Sequence, residues 1–474
     1  MADAIDPRWA WEPYRPSASS PWDLRKVGHL YRRAAFGATW AELQVGLQAG
    51  PEKAVADLLQ GDPGRPEFDA DRKFVTNHIV RFNNGNLAGA WWLMRVLHSP
   101  HPLREKMTLF WHNHFATSNR KVQNAGYMIG QYELMYRHAL GSFRTLLQEM
   151  SKDPAMMVWL DTAGSKKGNP NENYARELME LFSLGIGNYT ETDIREAARA
   201  FTGWEIKDGK AVFNPAQHDA GTKTVLGRTG PFKGEDIVNI CLEQKCCPVF
   251  LAGKLFRFLI SETMPPTPEL LEPLAEQLRQ SDFDIGGLVA TMLRSNLFFS
   301  PQVYRSRIKG PVDFALGIIR GLEGHIPDER GRGFGPATLS TVLEELGQSV
   351  FYPPSVKGWD GGPAWLNGQT LLTRQNLALT LCSHEVRYQG RLRPLPAVLA
   401  ERHGKKSDTE LVDFFLTLFL QGEVPAASRA RLLEYQRKSH QQPMPVYWTA
   451  EEAADRRVRS LCHLVLTLPE FQLD

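Results

Sequence analysis

Apolar residues recur at helical spacing along most of this chain. After Asp23, the residues Leu24, Val27, Leu30 and Tyr31 fall on one stripe that stops at Gly37. Trp40 to Gln48 and Pro51 to Leu59 repeat the pattern, each ending at or near a glycine, and Asp69 to Ser99 reads as a longer helix. Pro102 suits the first turn of the next, which runs to His114. The same periodicity predicts helices over 124–140, 142–151, 170–184, 191–203, 234–247, 249–261, 267–281, 284–295, 309–323, 336–346, 367–384, 408–421, 425–436 and 449–466.

One segment breaks the period. Between 204 and 233, Trp204-Glu205-Ile206, Ala211-Val212-Phe213 and Thr224-Val225-Leu226 alternate between glycine-bearing turns, which predicts a small β-hairpin. The expected fold is therefore mainly α, a multi-helix globular bundle with a β-hairpin insertion near 204–233. Along the chain this gives a Pro/Trp-rich arm (1–21), a helical domain (22–203), the hairpin with its polar loop (204–233) and a C-terminal helical region (234–474), on one continuous core. No period of repeat-protein length emerges. Ser349 to Asn367, with Pro353-Pro354, Gly358-Trp359-Asp360-Gly361-Gly362 and Trp365, and Ser439 to Thr449 read as structured loops. Such a loop is either functional or a packed surface loop held by its tryptophans.

At 474 residues with 42% hydrophobic content, the chain buries a large core without disulfides or metals. Lys+Arg 55 against Asp+Glu 53 leaves +2, so no overall field recommends nucleic acid as a partner. Five cysteines (241, 246, 247, 382 and 462) make neither a disulfide framework nor a CxxC zinc pattern. The first thirty residues lack the basic start and apolar run of an export signal, and no apolar stretch approaches the ~20 residues that span a bilayer, so a cytoplasmic location is expected.

Candidate chemistry concentrates in four segments. In Trp111-His112-Asn113-His114 the two histidines stand roughly 200° apart if the helix is regular, at 100° per residue. They form a ligand pair only if the helix ends near His112 and the backbone extends. Otherwise His114 belongs to the core. Asn171 to Gly185 predicts a helix with Ala175, Leu178, Met179 and Phe182 inward and Asn173, Arg176, Glu177 and Glu180 on the polar side. Carboxylates three apart can share a metal or an acid/base task; an Arg176 to Glu180 pair on a solvated face explains the same letters. Arg195, Arg199 and Thr202 share another stripe, fit for an anion or for salt bridges. Finally, His218-Asp219 before Gly221 and Lys223 offers a ligand with a base, or a polar turn. No GxSxG, Walker A, GxGxxG or HExxH pattern occurs.

Together these segments resemble a bacterial family catalogued as domain of unknown function 1800. The matching stretches are His29 to Gly37, Phe110 to Phe115, Asn171 to Gly185, Ala198 to Trp204, His218-Asp219 with Lys223, Val356 to Trp359 with Gly362, and Pro469 to Gln472. The resemblance implies that these segments belong to one set; members of the family are often exported and lie near genes for sulfatase-like proteins. The leading expectation is a metal-dependent hydrolase of a phosphate-, sulfate- or carboxylate-bearing small molecule or glycan. His112, His114, Glu177 and His218 would hold a divalent ion, Asp219 or Glu180 would act as base, and Arg176, Arg199, Lys223 and Trp359 would bind substrate. Two alternatives stand beside it: an iron or copper oxidoreductase in a helical bundle, and a non-enzymatic binding protein that uses the Gly358 to Trp365 loop.

Overall fold

The computed structural model describes residues 5–62, 75–324, 335–443, 445 and 447–474. Within them the chain is mainly helical, with three two-stranded antiparallel sheets. The start of the expected Asp69 helix, the first four residues of the arm and positions 444 and 446 of the second loop lie outside the described residues.

Capping chemistry sets many of the helix starts. Thr39, Thr190, Ser407 and Thr449 each accept the N–H of the third helical residue while that residue's carboxylate returns to the cap N–H. The two helices expected across Gly50 form one bent element, Trp40–Gln60, kinked where Gly50 takes φ 79° ahead of Pro51. The expected long helix to Ser99 is divided instead: a helix over 75–82 ends at left-handed Asn83, and Asn84 caps a new one, Gly85–His98.

The N-terminal arm is docked rather than loose. It carries a short helix, Pro7–Trp11, whose Trp11 indole donates to the Leu270 carbonyl at 2.8 Å. The region 204–233 holds two hairpins, Trp204–Lys207 with Lys210–Phe213 and Lys223–Val225 with Arg228–Gly230. A third, Glu385–Tyr388 with Arg391–Pro394, escaped the sequence reading because its strands are short and largely charged. So did the helix Pro154–Trp159, whose apolar letters show no polar face, although Asp153 caps it.

One cluster of buried apolar residues extends from Ala10 to Phe471. All five cysteines are free thiols, and only Cys246 is not fully buried. Among the described residues no helix is long and apolar enough to cross a membrane. Helix Pro102–His114 passes through the middle of the cluster and is buried on nearly every side, including its charged residues Glu105 and Lys106. Lys106 is tied to Asp313 in a buried ion pair. Nearby, the fully buried Arg33 donates to the carbonyls of Leu259 and Ile260, which end helix Cys246–Leu259.

Candidate functional site: a cleft beneath the Gly358 loop

Helix Pro102–His114 does not break at His112. It continues through His114, and Phe115 is its C-cap, donating to the Trp111 carbonyl at 2.8 Å. The extended backbone that would make His112 and His114 a ligand pair is therefore absent, and the two rings serve different neighbours. His112 Nε2 accepts the Phe351 N–H at 3.1 Å, with Trp92 and Trp359 packed edge-on against the ring. Burial alone pushes its pKa down to about 3. His114 faces the other way: its Nε2 donates to the Phe182 carbonyl at 3.1 Å, and burial holds the ring neutral.

Asn113, between them, grips the loop that crosses the helix end. Its Oδ1 accepts the Trp359 N–H at 2.7 Å and its Nδ2 donates to the Trp359 carbonyl at 3.4 Å. The three residues thus form a clamp. His112 and Asn113 fix the segment from Phe351 to Trp359, and His114 fixes Phe182. Gly358 is where the clamp closes: it has φ 79°, and a Cβ there would lie 2.1 Å from Asn113 Oδ1 and 2.5 Å from the Asn113 carbonyl oxygen.

The helix expected over 170–184 starts as α at Asn173–Glu177 and widens into a π-helix at Leu178–Ser183. Phe182, the residue His114 holds, lies in that wide turn. Arg176 pairs doubly with Glu191, and not with Glu180 as the i,i+4 reading has it. Glu180 accepts from the Tyr189 hydroxyl at 2.9 Å. Burial, and then the Glu180 charge, raise the Glu177 carboxyl above its ordinary range, against the pull of Arg176 and Lys357.

The His218 loop forms a third, separate constellation. His218 Nδ1 donates to the Thr202 carbonyl at 3.0 Å. Asp219 takes a two-pronged contact from Arg199, at 2.8 and 3.2 Å, and the Gly221 N–H. The Arg199 guanidinium holds the Asp219 carboxyl down at about 2, the opposite of what a general base near neutral pH requires. Lys223 donates to the Asp219 and Gly221 carbonyls, and Arg199 also binds Glu196. This network ties the hairpin to helix Glu191–Ala200.

The sequence-derived ligand set is thus not assembled. His112, His114 and His218 each answer to a different backbone group, and Glu177 stands on a third element, helix Asn173–Glu177. Among the described residues no group of three or more His, Cys, Asp or Glu side chains is placed to hold a metal ion. Likewise Arg176, Arg199 and Lys223 are taken up by internal partners. Trp359 is the proposed substrate residue that does line a cleft, although its ring is largely buried against His112.

That cleft encloses about 670 Å³ between the Gly358 loop, the end of helix Pro102–His114 and helix Cys246–Leu259. Its apolar surface comes from Phe110, Val249, Phe250, Phe258 and Leu271. Glu262 and Arg307 meet in it at 3.0 Å, both nearly buried. Gly361 and Gly362, each with positive φ, bring the loop backbone against that carboxylate: a Cβ on either would sit 3.4 Å from a Glu262 oxygen. Cations predominate among the remaining charges. Lys254, Arg257 and Lys357 face Asp360, while Asp313 is already committed to Lys106. Among the described residues Lys254 has no hydrogen-bonding or ion-pair partner; its ammonium lies 5.2 Å from the centroid of the Phe250 ring. Burial, and then the Arg257 charge, lower its pKa to about 8.

The family described as "Protein of unknown function (DUF1800)" matches residues 29–473. The chain belongs to this family. No curated protein and no solved structure matches it. The family match takes in the clamp, the π-helix, the His218 loop and every residue of the cleft named above. Sequence reasoning reached the clamp and Trp359 but missed Lys254, Arg257, Glu262 and Arg307. The signal for Lys254 was a single lysine inside the apolar run Leu251-Ala252-Gly253-Lys254-Leu255-Phe256.

Because the candidate ligands are not gathered around one point among the described residues, protein purified without an affinity metal is expected to carry less than about a tenth of an equivalent of any transition metal. Elemental analysis checks this. A stoichiometric metal that disappears in His218→Ala would restore the metal-centre reading.

Proposed function

We propose that this protein binds a small anionic molecule in the cleft beneath the Gly358 loop. Lys254 carries the reading. It is a cation on an apolar wall with no carboxylate partner among the described residues, and burial and the Arg257 charge lower its pKa with no ion pair to offset them. An anion there would restore the proton and gain charge-assisted hydrogen bonds of low solvent competition. Arg257 and Lys357 at the rim add attraction at longer range. The Glu262–Arg307 pair gives the cleft a polar end that can order a hydroxyl or a carbonyl of the ligand.

This reading keeps the anionic ligand expected from the sequence and moves it away from Arg176, Arg199 and Lys223. The chemistry the site offers beyond binding is that of Lys254, whose amine is available as a base or nucleophile near pH 8.

Ligand-observed NMR or calorimetry with butyrate, succinate and inorganic phosphate tests the proposal. The wild type should bind at least one of them, and Lys254→Met should weaken that binding by about 10- to 100-fold, the range for a lost hydrogen bond to a charged group. Affinity should fall as pH rises through about 8, because the amine that binds the anion is then neutral. Equal binding by Lys254→Met, or no binding of any of the three anions by the wild type, would sink it.

A further inference from the structure

Lys254 stands at the junction of two cavities. A second hollow, of about 1100 Å³, lies toward the N-terminal end of helix Cys246–Leu259, and Val249, Phe250 and Lys254 line both. The new hollow differs in character from the first. Its walls are Leu181, Leu184, Ile186, Cys246, Val249 and Phe250, with charges from Glu180, Lys245, Glu272 and Arg279. Arg279 is already paired with Glu272 and Glu276, and Glu180 with Tyr189, so apart from the exposed Lys245 the groups left to meet a ligand are largely apolar.

Local backbone makes this apolar surface. Two residues past the π-helix stands Gly185, whose φ of 83° and missing side chain let the Phe250 ring approach; a Cβ there would lie 3.0 Å from Phe250. The chain then turns so that Ile186 stands 77% exposed at the rim, an uncommon place for so large an apolar residue. An unpaired cation joined to an apolar trough fits one kind of ligand, with a charged head and a hydrocarbon tail.

Resting on the anion site proposed above, we propose that the ligand is an amphiphilic carboxylate with a medium-length acyl chain. Its carboxylate sits at Lys254, and its chain runs past Val249 and Phe250 into the hollow beside Leu181, Leu184 and Ile186. Binding requires no covalent step.

Cys246 provides a reporter. It lines the second hollow and is the one thiol not fully buried, the other four being enclosed in the core. An acyl chain in the hollow should shield it from iodoacetamide, whereas butyrate, bound at Lys254 alone, should not.

Calorimetry with butyrate, hexanoate, octanoate and decanoate at pH 7, with parallel Cys246 alkylation followed by mass spectrometry, tests the inference on the full chain. Each added methylene should tighten binding about two- to fourfold, the upper figure being full burial. Bound decanoate should slow alkylation at least fivefold, and Ile186→Asp, at an exposed position that leaves folding intact, should flatten the series. If butyrate binds through Lys254 while longer chains gain nothing and Cys246 reacts at an unchanged rate, the acyl-chain inference is overturned and the anion site stands. If no carboxylate and no phosphate binds the wild type, the anion site falls and the inference with it.

Discussion

Replacing His112 with alanine is expected to cost about 3–5 kcal/mol of stability, the range for emptying a buried ring-sized site and stranding a backbone N–H. The ring is inaccessible to solvent, fills the space between Trp92, Phe351 and Trp359, and its Nε2 is the acceptor for the Phe351 amide. His112→Gln offers an amide oxygen to the same N–H and should lose less. The two variants therefore separate the hydrogen bond from the packing. Chemical denaturation at pH 8 reads both; a loss below about 1 kcal/mol in His112→Ala would show that His112 does not hold the loop.

The same residue makes a pH-dependent contribution whose sign follows from its depressed pKa. His112 is lowered from 6.5 to about 3 in the folded protein. The unfolded chain consequently binds a proton first as pH falls. The contribution of His112 is fully present above about pH 6.5 and declines by about 1.4 kcal/mol per pH unit below it, down to the folded pKa. Acid stability of the whole protein is not the readout. His29 and His114 shift in the same direction, while burial raises Glu105 and Asp153 to about 7, and those two favour folding as pH falls. The gap between wild type and His112→Gln isolates the one residue. It should narrow by about 2 kcal/mol between pH 8 and pH 5, and a gap that stays constant would mean that His112 titrates normally.

Gly358→Ala is the second large effect. A left-handed backbone costs a residue with a side chain about 1–2 kcal/mol, and here the new Cβ would also overlap Asn113 at two atoms. The expected loss is at least about 3 kcal/mol, or displacement of the loop. Limited trypsin digestion distinguishes the two, since Lys357 is exposed beside the glycine and should be cut faster once the loop leaves the helix. Combining the change with Asn113→Ala removes the Oδ1 overlap at 2.1 Å but not the carbonyl overlap at 2.5 Å, so the double variant should recover only part of the loss. Full recovery, or wild-type stability in Gly358→Ala, would count against the clamp.

These two residues explain why the histidine segment looks like a catalytic motif in the sequence. Neutral, buried side chains with one fixed hydrogen bond each are what a structural clamp requires, and the same letters suit metal ligands. Composition cannot separate the two. Helix continuity can, because a regular helix through His114 sends the rings apart. The His218-Asp219 pair was ambiguous in the same way. Its likeness to a ligand-and-base pair dissolves once Arg199, twenty residues earlier, is seen to hold the carboxylate.

Lys254 shows the opposite failure. A lone lysine in an apolar run reads as a solvated position on a core helix, and nothing local distinguishes one that reaches water from one that faces a cleft. Its meaning comes from Arg257 on the same helix, from Trp359 and Asp360 a hundred residues later, and from the absence, among the described residues, of a carboxylate paired with its ammonium.

What the sequence determined by itself is the set of local structures. Apolar periodicity placed most of the helices, cap residues placed their starts, and alternation between glycines marked the strand segment, because each of these depends on neighbours a few residues away. What only the tertiary structure decided is the work of the polar residues on those elements. His112, Asn113 and His114 are consecutive, yet their partners Phe351, Trp359 and Phe182 lie 239, 246 and 68 residues away. A helix turns 100° per residue, so three adjacent side chains face three different neighbours. Which neighbours those are depends on how distant helices pack, which no local pattern records.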